Sequence, residues 1–186
     1  MKIFGALNIF ILSAIIMVAA AKNCAAMEPV QISDYDVGEF VHEYNNVASN
    51  TNFRYDISIG GNLKADPLMS DETYDVYIAF CGPKNHDMTL IIYANMAGVV
   101  SKIDLIFNYK DRLAAQCAEE IYPILFQTLG FSPQGLLNIE QEMQENPEAE
   151  AYKFWCEKAD RYIFFKRNYA PNGIEKFLQV LLYAEA

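Results

Sequence analysis

The chain is short of the residues on which most catalytic and metal chemistry rests. It has two histidines, one tryptophan and four cysteines in 186 residues, and no two cysteines stand in a C-x-x-C pair. Structural zinc sites draw on closely spaced ligand pairs, so a zinc finger or ribbon is excluded on spacing. The chain also lacks G-x-S-x-G, a glycine-rich phosphate loop and H-E-x-x-H. These omissions remove the sequence signatures of α/β-hydrolases, nucleotide-binding loops and zincins. No cofactor is implied. Positive charge is scarce too, with 14 Lys and Arg against 24 Asp and Glu. A chain of net charge −10 is repelled by nucleic acid phosphates and by anionic headgroups. No nucleic acid partner is expected, and the acidity favours a basic partner.

Uncharged residues are abundant at the N-terminus. After Lys2, the nineteen residues from Ile3 to Ala21 carry no charge and end in Ala19-Ala20-Ala21 before Lys22. This is the layout of a secretory signal peptide over residues 1–21 with small residues at the cleavage positions. An uncleaved anchor is the alternative, because the run is just long enough to span a bilayer, but Gly5, Asn8 and Ser13 weaken it. Lipid attachment at Cys24 is a third option, opposed by Lys22 and Asn23 before it. The expected organisation is a signal peptide (1–21), an N-terminal tail (22–32) and one domain (33–186), exported to the periplasm or the exterior, without membrane insertion after cleavage. Removing the signal takes away one lysine and no acid, so the mature chain is more acidic still.

In an oxidising compartment four cysteines read as two disulfides. The pairing expected from strand and helix phase is Cys117 with Cys156 and Cys24 with Cys81. Cys117 shares a helical stripe with Leu113 and Ile121, and Cys156 alternates in phase with Tyr152 and Phe154.

Apolar periodicity gives the elements. In "SDYDVGEFVHEYNNVASN", Val37, Phe40, Val41, Tyr44 and Val47 recur at helical spacing, which predicts a helix over 35–49 with Ser33 as its cap and Asp36 in the reciprocal position. "NFRYDISIGGN" alternates Phe53, Tyr55, Ile57 and Ile59 with polar residues and predicts a strand. Residues 62–73 read as a surface loop, followed by strands at 74–81, 87–94 and 99–107 in an antiparallel meander. The stretch 110–130 predicts a helix bent or broken at Pro123, and Ser132-Pro133 opens another that runs to about residue 145. Aromatic runs at 151–158 and 161–168 predict strands, and 174–183 is read as a final strand although its apolar spacing also fits a helix. The fold class is therefore α+β: an antiparallel sheet of five to seven strands with helices packed on one face.

One local cluster deserves a chemical test. "FCGPKNHDM", residues 80–88, places Cys81, His86 and Asp87 together, a set that could supply a nucleophile with its base or part of a metal site. Pairing Phe80 with Met88, Ile78 with Leu90 and Val76 with Ile92 keeps six apolar residues on one face, makes 82–86 a loop tip, and sends Cys81 to the polar face with Asp75 and Tyr77. A hairpin tip is the expected reading, with neither catalytic nor metal residues assigned. Elsewhere, "DYDVGE" has too few oxygen ligands at calcium spacing. The glutamates at 140, 142, 145, 148 and 150 read as a solvated face. "KADRYIFFKRNY" interleaves aromatic and basic residues as single-strand binders do, and in this acidic chain it reads as an amphipathic strand with its basic residues outward. The function expected is a non-enzymatic extracytoplasmic domain that binds a protein or ligand; the alternative is a small secreted hydrolase using dispersed carboxylates.

Overall fold

Six β-strands alternate their side chains between two faces, and the helices of the described residues cover one of those faces. The computed structural model describes residues 30–60, 63–82, 88–147, 149–169 and 177–184. Helix α1 (Val37–Ser49) precedes the strands β1 (Asp75–Ala79), β2 (Met88–Ala94) and β3 (Val100–Asn108). Helices α2 (Arg112–Thr128) and α3 (Pro133–Glu145) follow, and the chain closes with β4 (Ala151–Cys156), β5 (Arg161–Tyr169) and β6 (Phe177–Ala184). All pairings are antiparallel, and the strand order is β1-β2-β3-β6-β5-β4. The sheet is thus two three-stranded meanders joined along β3 and β6, which agrees with the expected α+β class and strand number.

A single cross-strand row shows how the core is built. Tyr77, Ile92, Ile103, Leu182, Phe165 and Tyr152 lie side by side across all six strands, and all but Tyr77 are buried. The helices lay Ile121, Leu125 and Phe126 of α2 and Phe40 and Tyr44 of α1 into the same core. Phe126 is its aromatic centre. It meets Phe131 edge-on at 5.3 Å and stacks on Phe165 at 5.9 Å. Burying side chains of this size contributes about 2 to 3 kcal/mol each in transfer free energy.

The helix ends follow local rules. Asp36, not Ser33, caps α1: its carboxylate accepts from the Glu39 N–H at 2.8 Å while the Glu39 side chain accepts from the Asp36 N–H, a reciprocal box. The Ser33 hydroxyl instead accepts from the Tyr35 N–H, so the helix starts two residues later than its apolar spacing suggests. Helix α2 ends in a Schellman motif, with the Phe131 N–H bonding Phe126 O and the Gly130 N–H bonding Gln127 O. Gly130 has φ +97°, and a Cβ there would lie 2.4 Å from the Lys158 side chain.

Three expectations are corrected. Of the two outcomes expected at Pro123, a bend or a break, the break does not occur: helix α2 runs through it. The proline and Glu119 are both exposed, so the carbonyl that loses its partner can be hydrated. Residues 53–59 form no strand. Ile57 and Ile59 are buried as the alternation implied, but α1 side chains satisfy their backbone: Tyr44 donates to Ile57 O at 3.1 Å, and Asn45 both donates to Ile59 O and accepts from its N–H. The third is the β1–β2 register, in which Ala79 faces Leu90 and Ile78 faces Ile91. That is one residue away from the expected pairing, so every side chain of β1 changes face.

Candidate functional site

The slip in register moves Cys81 to the other face. Cys81 now falls in phase with Ala79 and Tyr77 on the helix-covered face, where it is buried. Burial, with a smaller contribution from nearby Cys117, pushes its thiol up to about 12. A thiol held protonated at neutral pH is a poor nucleophile. His86 and Asp87 lie outside the described residues. Among the described residues no group of three His, Cys, Asp or Glu is close enough to hold a metal.

The other cysteines are buried as well. Cys117 sits on the core stripe of α2, and its thiol is raised by burial and by the acids Asp111 and Glu120. Cys156 faces the helices in phase with Tyr152 and Phe154, as expected, and its Sγ donates to Leu129 O at 3.4 Å. Cys81, Cys117 and Cys156 are all free, so the expected Cys117–Cys156 bond is not formed in this structure. Cys24 lies outside the described residues.

What the structure does assemble is a surface that no short motif announces. On the face without helices, Lys153, Phe164, Tyr183, Lys102, Tyr93 and Val76 form one row across all six strands. Phe164 stacks on Tyr183 at 5.2 Å, and Lys102 lies 3.9 Å from the Tyr93 ring centroid. Below this row Asp104 is 1 % exposed; it accepts a hydrogen bond from the Tyr93 hydroxyl at 3.0 Å and pairs with Lys102 at 3.6 Å. Burial and the adjacent Asp104 carboxylate push the Tyr93 hydroxyl up, so it stays a donor.

Toward β4 the same face opens. Trp155 and Tyr162 are opposite each other, with rings 5.0 Å apart at 71°, and are 47 % and 46 % exposed. Lys153 stands beside them, its Nζ 4.2 Å from the Tyr162 ring and 5.2 Å from Phe164. Phe80 adds an isolated aromatic at the end of β1, 76 % exposed. Of the basic residues in "KADRYIFFKRNY", Lys166 lies on this face, whereas Arg161 donates to Gln31 O and Arg167 spans the Tyr152 and Phe165 rings. Once Tyr152, Phe154 and Cys156 are turned inward, alternation alone sends Lys153 and Trp155 outward; the signal is in the sequence but has no motif.

Charge is divided between the two layers. The three helices carry seven glutamates and one arginine, Arg112. The outer sheet face carries Lys102, Lys153 and Lys166 against the buried Asp104, so it is positive within an acidic molecule. Two open hollows lie among the described residues. One, of about 430 Å³, is lined by Arg54, Glu119 and Glu120; these two acids are successive helix residues and diverge by about 100°. The other, of about 500 Å³, lies by Asp36 and Tyr77. No helix of the described residues is long and apolar enough to cross a membrane. Comparison of the chain with known protein families, with curated proteins and with solved structures finds no match.

Proposed function

We propose that this protein is a non-enzymatic binding domain, exported by its N-terminal segment, that holds its partner on the outer face of the sheet. The observation that carries this reading is the half-exposed Trp155–Tyr162 pair beside Lys153. Large aromatic rings left in water on a sheet face, next to a cation, are the composition of a protein contact. Tryptophan and tyrosine anchors also dominate the energetics of such contacts. The net charge of the whole chain favours a basic partner, but the lysines of the outer face make that face suit an acidic one.

The test is retention of a partner from the exported fraction on immobilised protein. Wild type and a helix-layer variant, Glu142→Gln with Glu145→Gln, are expected to retain the same partner, and Trp155→Ala with Tyr162→Ala to lose it. Retention by the face variant, or loss by the helix-layer variant alone, would move the site to the other layer. Turnover of a substrate that survives the face substitutions would replace the reading with an enzyme.

A further inference from the structure

The two edges of the sheet are treated differently. At β1 the preceding loop closes the edge: Ala65 bridges Tyr77, and the Asp66 N–H donates to Val76 O at 2.7 Å. At β4 the arrangement is set by one bond just outside the strand, where the Arg167 N–H donates to Glu150 O at 2.7 Å. This makes Glu150 and Arg167 a hydrogen-bonded pair in the β4–β5 register, and in an antiparallel ladder the bonding alternates residue by residue. Tyr152, Phe154 and Cys156 therefore bond to β5. The N–H and C=O groups of Ala151, Lys153 and Trp155 point away from the sheet, and no backbone bond among the described residues meets them.

The same three residues have exposed side chains, all on the outer face. The open backbone edge and the aromatic, positively charged patch are thus one continuous surface. Among the described residues no carboxylate lies within ion-pair distance of Lys153 or Lys166. From this juxtaposition we infer that β4 is a strand-addition site for an extended acidic segment of another protein. The backbone of the segment bonds to Ala151, Lys153 and Trp155, and its outward carboxylates meet Lys153 and Lys166. An added strand gains affinity from main-chain bonds and specificity from alternate side chains.

Charge selects this occupant over a second copy of the chain. Antiparallel pairing of the outward groups of Ala151, Lys153 and Trp155 with those of a second β4 sets Lys153 against Lys153, and like charges directly opposite destabilise a strand pair. An exposed lysine is also the usual guard of an open edge against copies of itself. The charge that repels a copy attracts a carboxylate. On the inner side α3 packs against β4 and carries Glu140, Glu142 and Glu145, so the inward side chains of the added strand should be uncharged. An alternating acidic and neutral pattern meets both demands.

The inference rests on the outer-face reading above, and its test separates the two. The probe is a fluorescein-labelled decapeptide alternating glutamate and threonine, followed by fluorescence anisotropy, with a lysine–threonine decapeptide as control. The glutamate peptide is expected to bind, less tightly as salt is added, and the lysine peptide not to bind. Ala151→Pro and Lys153→Pro each remove an outward N–H at an edge position where proline is tolerated, and are expected to weaken binding about tenfold or more. Lys153→Met keeps the N–H and should weaken binding several-fold. Hydrogen exchange on the wild-type protein needs no substitution: the amides of Ala151, Lys153 and Trp155 should slow when the glutamate peptide is added. Three results would overturn the strand-addition site: no binding of that peptide, unchanged binding by both proline variants, or a dimer in sedimentation that Lys153→Pro dissolves. If Tyr162→Ala alone weakens the peptide while both proline variants bind normally, the face is the contact and the edge is not.

Discussion

Trp155 and Tyr162 sit opposite each other on β4 and β5, edge to face at 5.0 Å, on the side of the sheet away from the three described helices. An aromatic pair of this geometry contributes about 1 kcal/mol beyond the area it buries. Half of each ring remains in water, so this is a large apolar surface held in place at small energetic return to the fold. A double-mutant cycle on Trp155→Ala and Tyr162→Ala, read by urea denaturation, is expected to give a coupling of about 1 kcal/mol with the native fold retained. A coupling near zero would mean that the rings do not hold each other, and the patch would lose its preorganisation.

The buried end of the core makes a prediction about alkaline pH. Burial raises the Cys81 thiol from 9.0 to about 12 and also raises the neighbouring Tyr44 hydroxyl. Below pH 9 the thiol is protonated whether the chain is folded or not, and its contribution to stability is fully present. As the pH rises past 9, the unfolded chain gives up the proton while the folded chain keeps it until about 12, so stability is lost across that window. The full shift corresponds to about 4 kcal/mol as an upper bound. The urea midpoint of the wild type should fall steadily between pH 9 and 11, and that of Cys81→Ala should start lower but fall less steeply. Parallel slopes for the two proteins would show that Cys81 is not buried in this way.

The outcome at β1 explains what the sequence could and could not give. Element types were legible wherever alternation or helical spacing ran for several turns, as in α2, α3 and β3 to β5. The face of β1 was not, because Val76, Ile78 and Phe80 alternate as a core set should. They lie on the outer face, where Val76 is buried and Ile78 pairs with the buried Ile91. The core positions are filled by Ala79, Cys81 and Tyr77, which no hydrophobicity pattern ranks above isoleucine. Residues 53–59 misled for a related reason. Their alternation correctly marks Ile57 and Ile59 as buried, but the hydrogen-bond partner of a backbone is not encoded in alternation, and here it is the side chains of Tyr44 and Asn45. The outer-face patch was legible only by subtraction, as what remained after Tyr152, Phe154 and Cys156 were turned inward.

The start of α1 separates two candidate caps. Asp36 accepts from the Glu39 N–H at 2.8 Å, and the Glu39 carboxylate returns the bond. Asp36→Ala is expected to cost about 1 kcal/mol, the usual loss of a side-chain cap. Glu39→Gln, which can still accept from the Asp36 N–H, should cost much less. Both are measured by thermal or urea unfolding. Equal and negligible effects would return the cap to Ser33.

The arrangement of the cysteines carries the last prediction. Cys117 was expected to bond Cys156, because both face the space between α2 and the sheet. The structure sends them to different neighbours. Cys156, at the end of β4, turns its Sγ to the carbonyl of Leu129 beyond the C-terminus of α2. Cys117 lies near the start of the same helix, where Cys81 and Tyr44 are close enough for each thiol to affect the Tyr44 hydroxyl. Twelve residues of helix separate Cys117 from Leu129, about 18 Å along the axis, whereas a disulfide needs Cα atoms within roughly 7 Å. In protein purified from an oxidising compartment, a bond between Cys117 and another of the described cysteines should therefore go to Cys81 and not to Cys156. Cys156 should stay a free thiol that reacts with a bulky reagent only after unfolding. Peptide mapping without reduction, with alkylation before and after denaturation, reads both outcomes. A Cys117–Cys156 linkage in the native protein would mean that α2 lies a helix length away from its place against β4.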